Sequence, residues 1–204
     1  MPNEVGRPRN PALAGAILNA ARALLVENGF DSLSVDAIAS RAGTTRPAFY
    51  RRYEGLPEML LALMLEDFGT DIEFNYGDVR SDLLAIQRDQ IDLFTSPIAR
   101  QCLSVFLGAL QSSPALNTDF QAHFLRPRRE ATGRILARAA GRGEIRSDYD
   151  PESICDLLTG PLLMRIVLPG VGPLDQRIVE DTVDSSLALL GHEPTVIRVR
   201  QALS

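Results

Sequence analysis

At 204 residues, with 45% hydrophobic and 23% charged side chains, the chain can bury a sizeable core, which excludes a disordered or fibrous polypeptide. A formal net charge of −5 excludes binding to a polyanion through overall basicity, so any such partner has to meet a local patch. Two cysteines without metal-type spacing, and no apolar run near the roughly 18–20 residues that span a bilayer, exclude a disulfide scaffold, a thiolate metal site and a helical membrane span.

The opening segment MPNEVGRPRNP has no apolar h-region, so the expectation is a soluble, cytoplasmic protein in which Cys102 and Cys155 are reduced core residues. Asn10 is placed to cap a first helix with Pro11 at its first position. Leu13, Ile17, Ala20 and Leu24 then line one face until Gly29, giving a helix over about 11–28. Ser34 caps a second helix in which Val35, Ile38, Ala39 and Ala42 fall at helical spacing, and Gly43 supplies a left-handed stop. Thr45 caps a short third helix. A fourth is expected from Leu56 to Phe74, with Pro57 in its first turn. The same grammar repeats in longer helices near 80–95, 97–112, 115–141, 151–168 and 173–190, and Pro127 should kink or split the third of these. No strand-like alternation, internal repeat or low-complexity segment occurs, so the fold class is all-α with about nine helices.

Two short helices around a tight glycine turn, the second starting on a threonine, form the layout of a helix-turn-helix. At about 100° per residue, Phe49 and Tyr53 share the inner side of the third helix, against Ile38 and Leu24, while Pro47, Tyr50 and Arg51 point outward. The thirteen residues from Arg41 to Tyr53 hold Arg41, Arg46, Arg51 and Arg52 and no acid, a local +4 that leaves the rest of the chain at −9 by difference. Such a division attracts a polyanion to one face and repels it from the rest, which orients the protein on DNA. A solvated basic helix on an ordinary bundle has the same composition and stands as the alternative.

Residues 17–64, ILNAARALLVENGFDSLSVDAIASRAGTTRPAFYRRYEGLPEMLLALM, resemble the TetR family of transcriptional repressors in the second-helix pattern SVDAIASRAG and in FYRRY at the close of the recognition helix. The resemblance implies that Ser34 binds a phosphate, that Thr45, Arg46 and Pro47 open the recognition helix toward the major groove, and that Tyr50 binds phosphate. With Arg41, Thr44, Arg51 and Arg52 these make the candidate DNA-binding set. Arg52 is assigned to phosphate, and Arg51 is left between phosphate and guanine. The chain departs from the pattern at Leu56, where the family commonly has a lysine, and at Thr44, where it usually has an aliphatic residue. Arg7 and Arg9 fit either a minor-groove arm or a simple tail.

The resemblance further implies a helix-turn-helix DNA-binding domain at 1–55 and a ligand-binding and dimerisation domain at 56–204. Aromatic and soft residues on the later helices suit either a core or an apolar cavity, and the candidate lining set is Met64, Phe68, Phe94, Cys102, Phe106, Phe120, His123, Phe124, Met164 and Arg165. Arg165 is a lone charge in GPLLMRIVLPG that either meets an anionic partner or snorkels to solvent. Leu157, Leu158, Leu162, Ile166, Val183, Leu187 and Leu190 are the candidate dimer interface, because a homodimer can set two recognition helices about 34 Å apart on a palindromic DNA operator. No Ser/His/Asp or Cys/His arrangement, metal triad or phosphate loop is present in the sequence, so neither an enzyme nor a cofactor or metal is expected. The expected function is a ligand-responsive repressor released from its operator by a small apolar or amphipathic molecule. A helical adaptor that uses the basic head for a protein partner is the alternative.

Overall fold

The computed structural model describes residues 11–168 and 170–192. Asn10, Arg7 and Arg9, and with them the expected first cap and the minor-groove arm, lie outside the described residues. The helices are α1 (Pro11–Asn28), α2 (Val35–Arg41), α3 (Arg46–Tyr50), α4 (Leu56–Phe68), α5 (Val79–Thr95), α6 (Pro97–Ser112), α7 (Pro114–Phe120), α8 (Arg126–Gly141), α9 (Pro151–Val167) and α10 (Gln176–Leu189). One wide π turn, Gln121–Leu125, joins α7 to α8, so these two form a single interrupted helix and the described residues hold nine helical rods. The fold is all-α, as the sequence implies.

The interruption has a chemical cause. Proline has no N–H and its ring crowds the carbonyl four residues back, so Pro127 cannot close an ordinary helical turn onto His123. The turn just before it widens, and the Arg126 N–H bonds to the Gln121 carbonyl, five residues back, in place of the usual four. The fourth helix is shorter than its apolar run suggests. It stops at Phe68 rather than Phe74 because Gly69, at φ +58, turns the chain out of the helix while its N–H still bonds to the Leu65 carbonyl at 3.1 Å.

The chain packs as two compact units, one made of residues up to Asp71 with Leu93–Pro127, the other of Ile72–Asp92 with residues from Arg128 onward. In the first, Ile17, Leu25, Ile38, Phe49, Met59, Leu60 and Leu63 share a core with Cys102, Phe106, Leu116 and Phe124. The head helices α1 to α3 are therefore stabilised by the same apolar cluster as α4, α6 and α7. Packing is continuous across residue 55.

In the second unit, Leu83, Ile135, Leu136, Ile154, Leu158, Val179, Val183 and Leu187 form the core. Gln87 is fully buried, and its amide donates to the Leu158 carbonyl at 3.0 Å and to Thr182 Oγ1, which ties α5 to α9 and α10. A non-helical strap precedes α5. Arg134 donates to the Ile72 carbonyl at 3.0 Å, Arg138 donates to the Phe74 carbonyl, and the Tyr76 N–H donates to the buried Asp82 carboxylate at 2.6 Å. Arg138 also lies 3.8 Å from the other Asp82 oxygen, which partly offsets the cost of burying that charge.

Candidate nucleic-acid interface

The interface begins with two side-chain caps. Ser34 Oγ accepts the Ala37 N–H at 3.1 Å and Thr45 Oγ1 accepts the Ala48 N–H at 3.3 Å, so each short helix starts at a fixed residue. The turn between them is a Schellman motif. The Thr44 N–H bonds to the Ala39 carbonyl at 2.9 Å and the Gly43 N–H to the Ser40 carbonyl at 3.2 Å, with Gly43 at φ +63. Helices of seven and five residues are too short to be stable alone; the turn, the caps and the shared core hold them.

Phe49 is fully buried and orients α3. Its ring lies 5.5 Å from Tyr53 and 5.6 Å, edge-on, from Tyr50, whose own side chain is exposed. Arg46, Pro47 and Arg51 are exposed beside it, Ser34, Arg41 and Thr45 are exposed nearby, and Thr44 and Arg52 are half-buried. The cap at Ser34 uses an oxygen lone pair, leaving the hydroxyl proton available to a phosphate. Leu56 packs against the apolar core, so this position contributes packing where a lysine would contribute charge.

Two acids that the sequence reading overlooked complete the surface. Arg41 makes a two-pronged contact with Glu27, both bonds at 2.5 Å, and the guanidinium holds the Glu27 carboxyl below its ordinary range. Arg46 pairs with Asp36 at 2.7 Å and its guanidinium sits 6.0 Å from the centre of the Tyr50 ring. Neither acid lies in the Arg41–Tyr53 window. The turn geometry is what brings Asp36, ten positions away, to Arg46, and no local spacing signals it.

The candidate cavity residues are distributed differently from a single lining. Met64, Cys102, Phe106 and Phe124 are buried, and Phe68 and Phe120 pack against them, with Phe106 to Phe120 at 5.5 Å and Phe120 to Phe124 at 5.6 Å. Phe94 is buried too, whereas His123 and Met164 are exposed. Arg165 is half-buried at the end of α9, donating to the Pro161 carbonyl at 3.4 Å, with Gly172 packed so closely that a Cβ there would lie 3.3 Å from its Nε. A cavity of about 650 Å³ lies in the second unit, lined by Asp78, Arg80, Glu144, Asp184, Leu187, Ala188 and His192, and none of the ten candidate lining residues borders it.

Of the candidate interface residues, Leu158, Leu162, Val183, Leu187 and Leu190 are buried within the chain itself, so they are already occupied by its own core. Ile166 is half-buried and Leu157 is exposed. Met164, Leu168 and Leu189 are further exposed apolar side chains on or next to these two helices. Helical periodicity alone could not separate the inward from the outward apolar positions, because both faces of α9 are apolar.

Capped short helices around a Schellman turn, with a buried Phe49 and an exposed arginine and tyrosine face, define a helix-turn-helix transcriptional regulator. Residues 17–63 match the family profile described as bacterial regulatory proteins, tetR family, and residues 75–186 match the tetracyclin repressor-like C-terminal domain. An HTH-type transcriptional regulator of Mycobacterium tuberculosis is 31% identical over 186 residues, 88% of each chain. A DNA-binding transcriptional repressor, TetR, of Mycobacteroides abscessus is 28% identical over 184 residues, 89% of this chain and 95% of that one. The crystal structure of the TetR family transcription regulator SCO0332 superposes with a TM-score of 0.68 at 28% identity, covering 89% of this chain and 99% of that one. The chain belongs to the TetR family of transcriptional regulators. Among the described residues no single helix is long and apolar enough to cross a membrane.

Proposed function

We propose that the protein is a homodimeric repressor that binds a palindromic DNA operator through α2 and α3 and leaves it when a small molecule binds. The observation that carries this reading is the pairing of a buried Phe49 with the exposed Tyr50 and Arg46 on one five-residue helix and the exposed Arg51 at its C-cap, which presents donors and cations outward from a fixed base. Ser34, Arg41, Thr44, Thr45, Pro47 and Arg52 complete the contact set. By role, residues 1–55 form the DNA-reading head and 56–204 the part that senses ligand and dimerises, although one apolar core serves both sides of that boundary.

The exposed Leu157, Met164, Leu168 and Leu189 support a second copy packing on α9 and α10, since several exposed apolar side chains on one pair of helices favour association. The 650 Å³ cavity is of a size that suits a small molecule, and its mixture of Asp78, Arg80, Glu144 and Asp184 with Leu187 favours an amphipathic ligand over a wholly apolar one.

Fluorescence anisotropy on duplexes tiled across the DNA flanking the coding region, at two salt concentrations, tests the reading. One palindrome should bind far above the others, with affinity falling steeply as salt rises. Uniformly weak binding to every duplex would remove the repressor assignment.

A further inference from the structure

We propose that Asp36 is a specificity-determining residue that works through Arg46: it holds the guanidinium for guanine in the major groove and withholds it from the phosphate backbone. The proposal rests on the DNA-binding reading above and adds what one side chain selects.

The geometry starts from two fixed points. Asp36 lies in the first turn of α2, whose start is set by the Ser34 cap, and Arg46 is the first residue of α3, whose start is set by the Thr45 cap. The Schellman turn between them allows little relative play. From these positions the carboxylate and the guanidinium meet at 2.7 Å, while the Tyr50 ring, 6.0 Å away, flanks the same guanidinium. Arg46 is therefore held by two groups, both on the exposed face. Asp36 and Arg46 keep 66% and 55% of their side-chain surface exposed, so the pair adds little to folding and its position at the interface invites another account.

An acid on a face that meets DNA is repelled by phosphate unless something compensates it. If Arg46 swung away to a phosphate, Asp36 would be left uncompensated in the same negative field. If Arg46 instead stays with Asp36, the carboxylate uses Nη1 of its five-donor fork and leaves the other N–H groups for a second acceptor. Guanine O6 and N7 are the acceptors in the major groove that match such a fork. The acid thus penalises the sequence-independent contact and leaves the base contact open, which lowers non-specific binding and raises discrimination. Arg51, exposed and without an ion pair among the described residues, has no such restraint.

The test uses the full-length protein and a pool of duplexes with a randomised core, from which the wild type selects its preferred sequence. Affinities for that sequence, for its single-base variants and for random duplex are then compared among wild type, Asp36→Asn, Arg46→Lys and Arg46→Ala. The expected result is a guanine in each half-site whose replacement costs the wild type roughly tenfold in affinity. In Asp36→Asn that preference should shrink while affinity for random duplex rises severalfold. Arg46→Lys should lose the same preference yet keep its random-duplex affinity, because it retains the charge without the fork. Asp36→Asn with the base preference intact, or with all sequences changed by one common factor, would overturn the proposal and leave the DNA-binding reading standing. A wild type that selects no sequence would overturn both. Asp36 is exposed, and circular dichroism of each variant separates loss of folding from loss of discrimination.

Discussion

Adjacent residues on α3 carry opposite duties. Phe49 is fully buried and fills the centre of the head, so Phe49→Ala should lower stability by about 3–5 kcal/mol in urea unfolding, through lost burial and the cavity left behind. Tyr50 is exposed, and Tyr50→Ala should leave the unfolding midpoint within experimental error while weakening operator binding in the anisotropy assay. That division was legible in the sequence, since helical geometry separates positions 49 and 50 by about 100°. The ion pairs of Arg41 and Arg46 were not, because Glu27 and Asp36 approach only through tertiary geometry. Cys102 gives a pH-dependent counterpart. Burial pushes its thiol up to about 11 from an ordinary 9.0, so folded and unfolded chains differ in ionisation between those values. The folded-state pKa is the raised one; the thiol's contribution to stability is therefore complete below the lower value and is lost as pH rises through the window. The stability difference between wild type and Cys102→Ala should accordingly be smaller above the window than below it.

At the scale of elements, turn chemistry governs what sequence could and could not specify. Gly43 was readable as a left-handed stop, and nothing lies within 4 Å of where its Cβ would be, so Gly43→Ala meets no clash and pays only for the strained backbone at φ +63. The expected loss is about 1–2 kcal/mol, seen as a lower thermal midpoint, with DNA affinity falling further than stability as the entry angle of α3 drifts. The end of α4 was misplaced because apolar spacing continues past Phe68, and Phe74 still packs on a core, although as part of the strap and not of a helix. Pro127 signalled an interruption without saying which kind. A kink and a wide turn both relieve the same missing N–H, and neighbouring packing decides between them.

For the whole molecule, the arrangement of charge and apolar surface matters more than either total. Most expected interface leucines are consumed by the chain's own core, leaving Leu157, and Met164 on the same helix, 40% and 46% exposed and able to gain burial from a partner. Replacing both by glutamate should give a folded monomer in sedimentation equilibrium and abolish binding to a palindrome while sparing weak binding to a half-site. One-third of the chain, the head, could be assigned from motifs because its short helices need specific caps and a specific glycine. The remaining helices share one apolar pattern that many packings satisfy, so their buried and exposed faces had to come from the structure.

The strap before α5 has a consequence for how this chain can diverge. Its anchors grip carbonyls at Ile72 and Phe74 and an amide at Tyr76, groups that nearly every residue type supplies. The exposed side chains of Glu73 and Asn75 are consequently free to drift between relatives without loosening it. Its length is not free: one deleted residue would offer Arg134 and Arg138 the wrong carbonyls and turn Asp82 toward a missing amide. What these anchors require of the strap is a count of residues, with identity resting on the buried Ile72, the half-buried Phe74 and the arginines and aspartate that hold it.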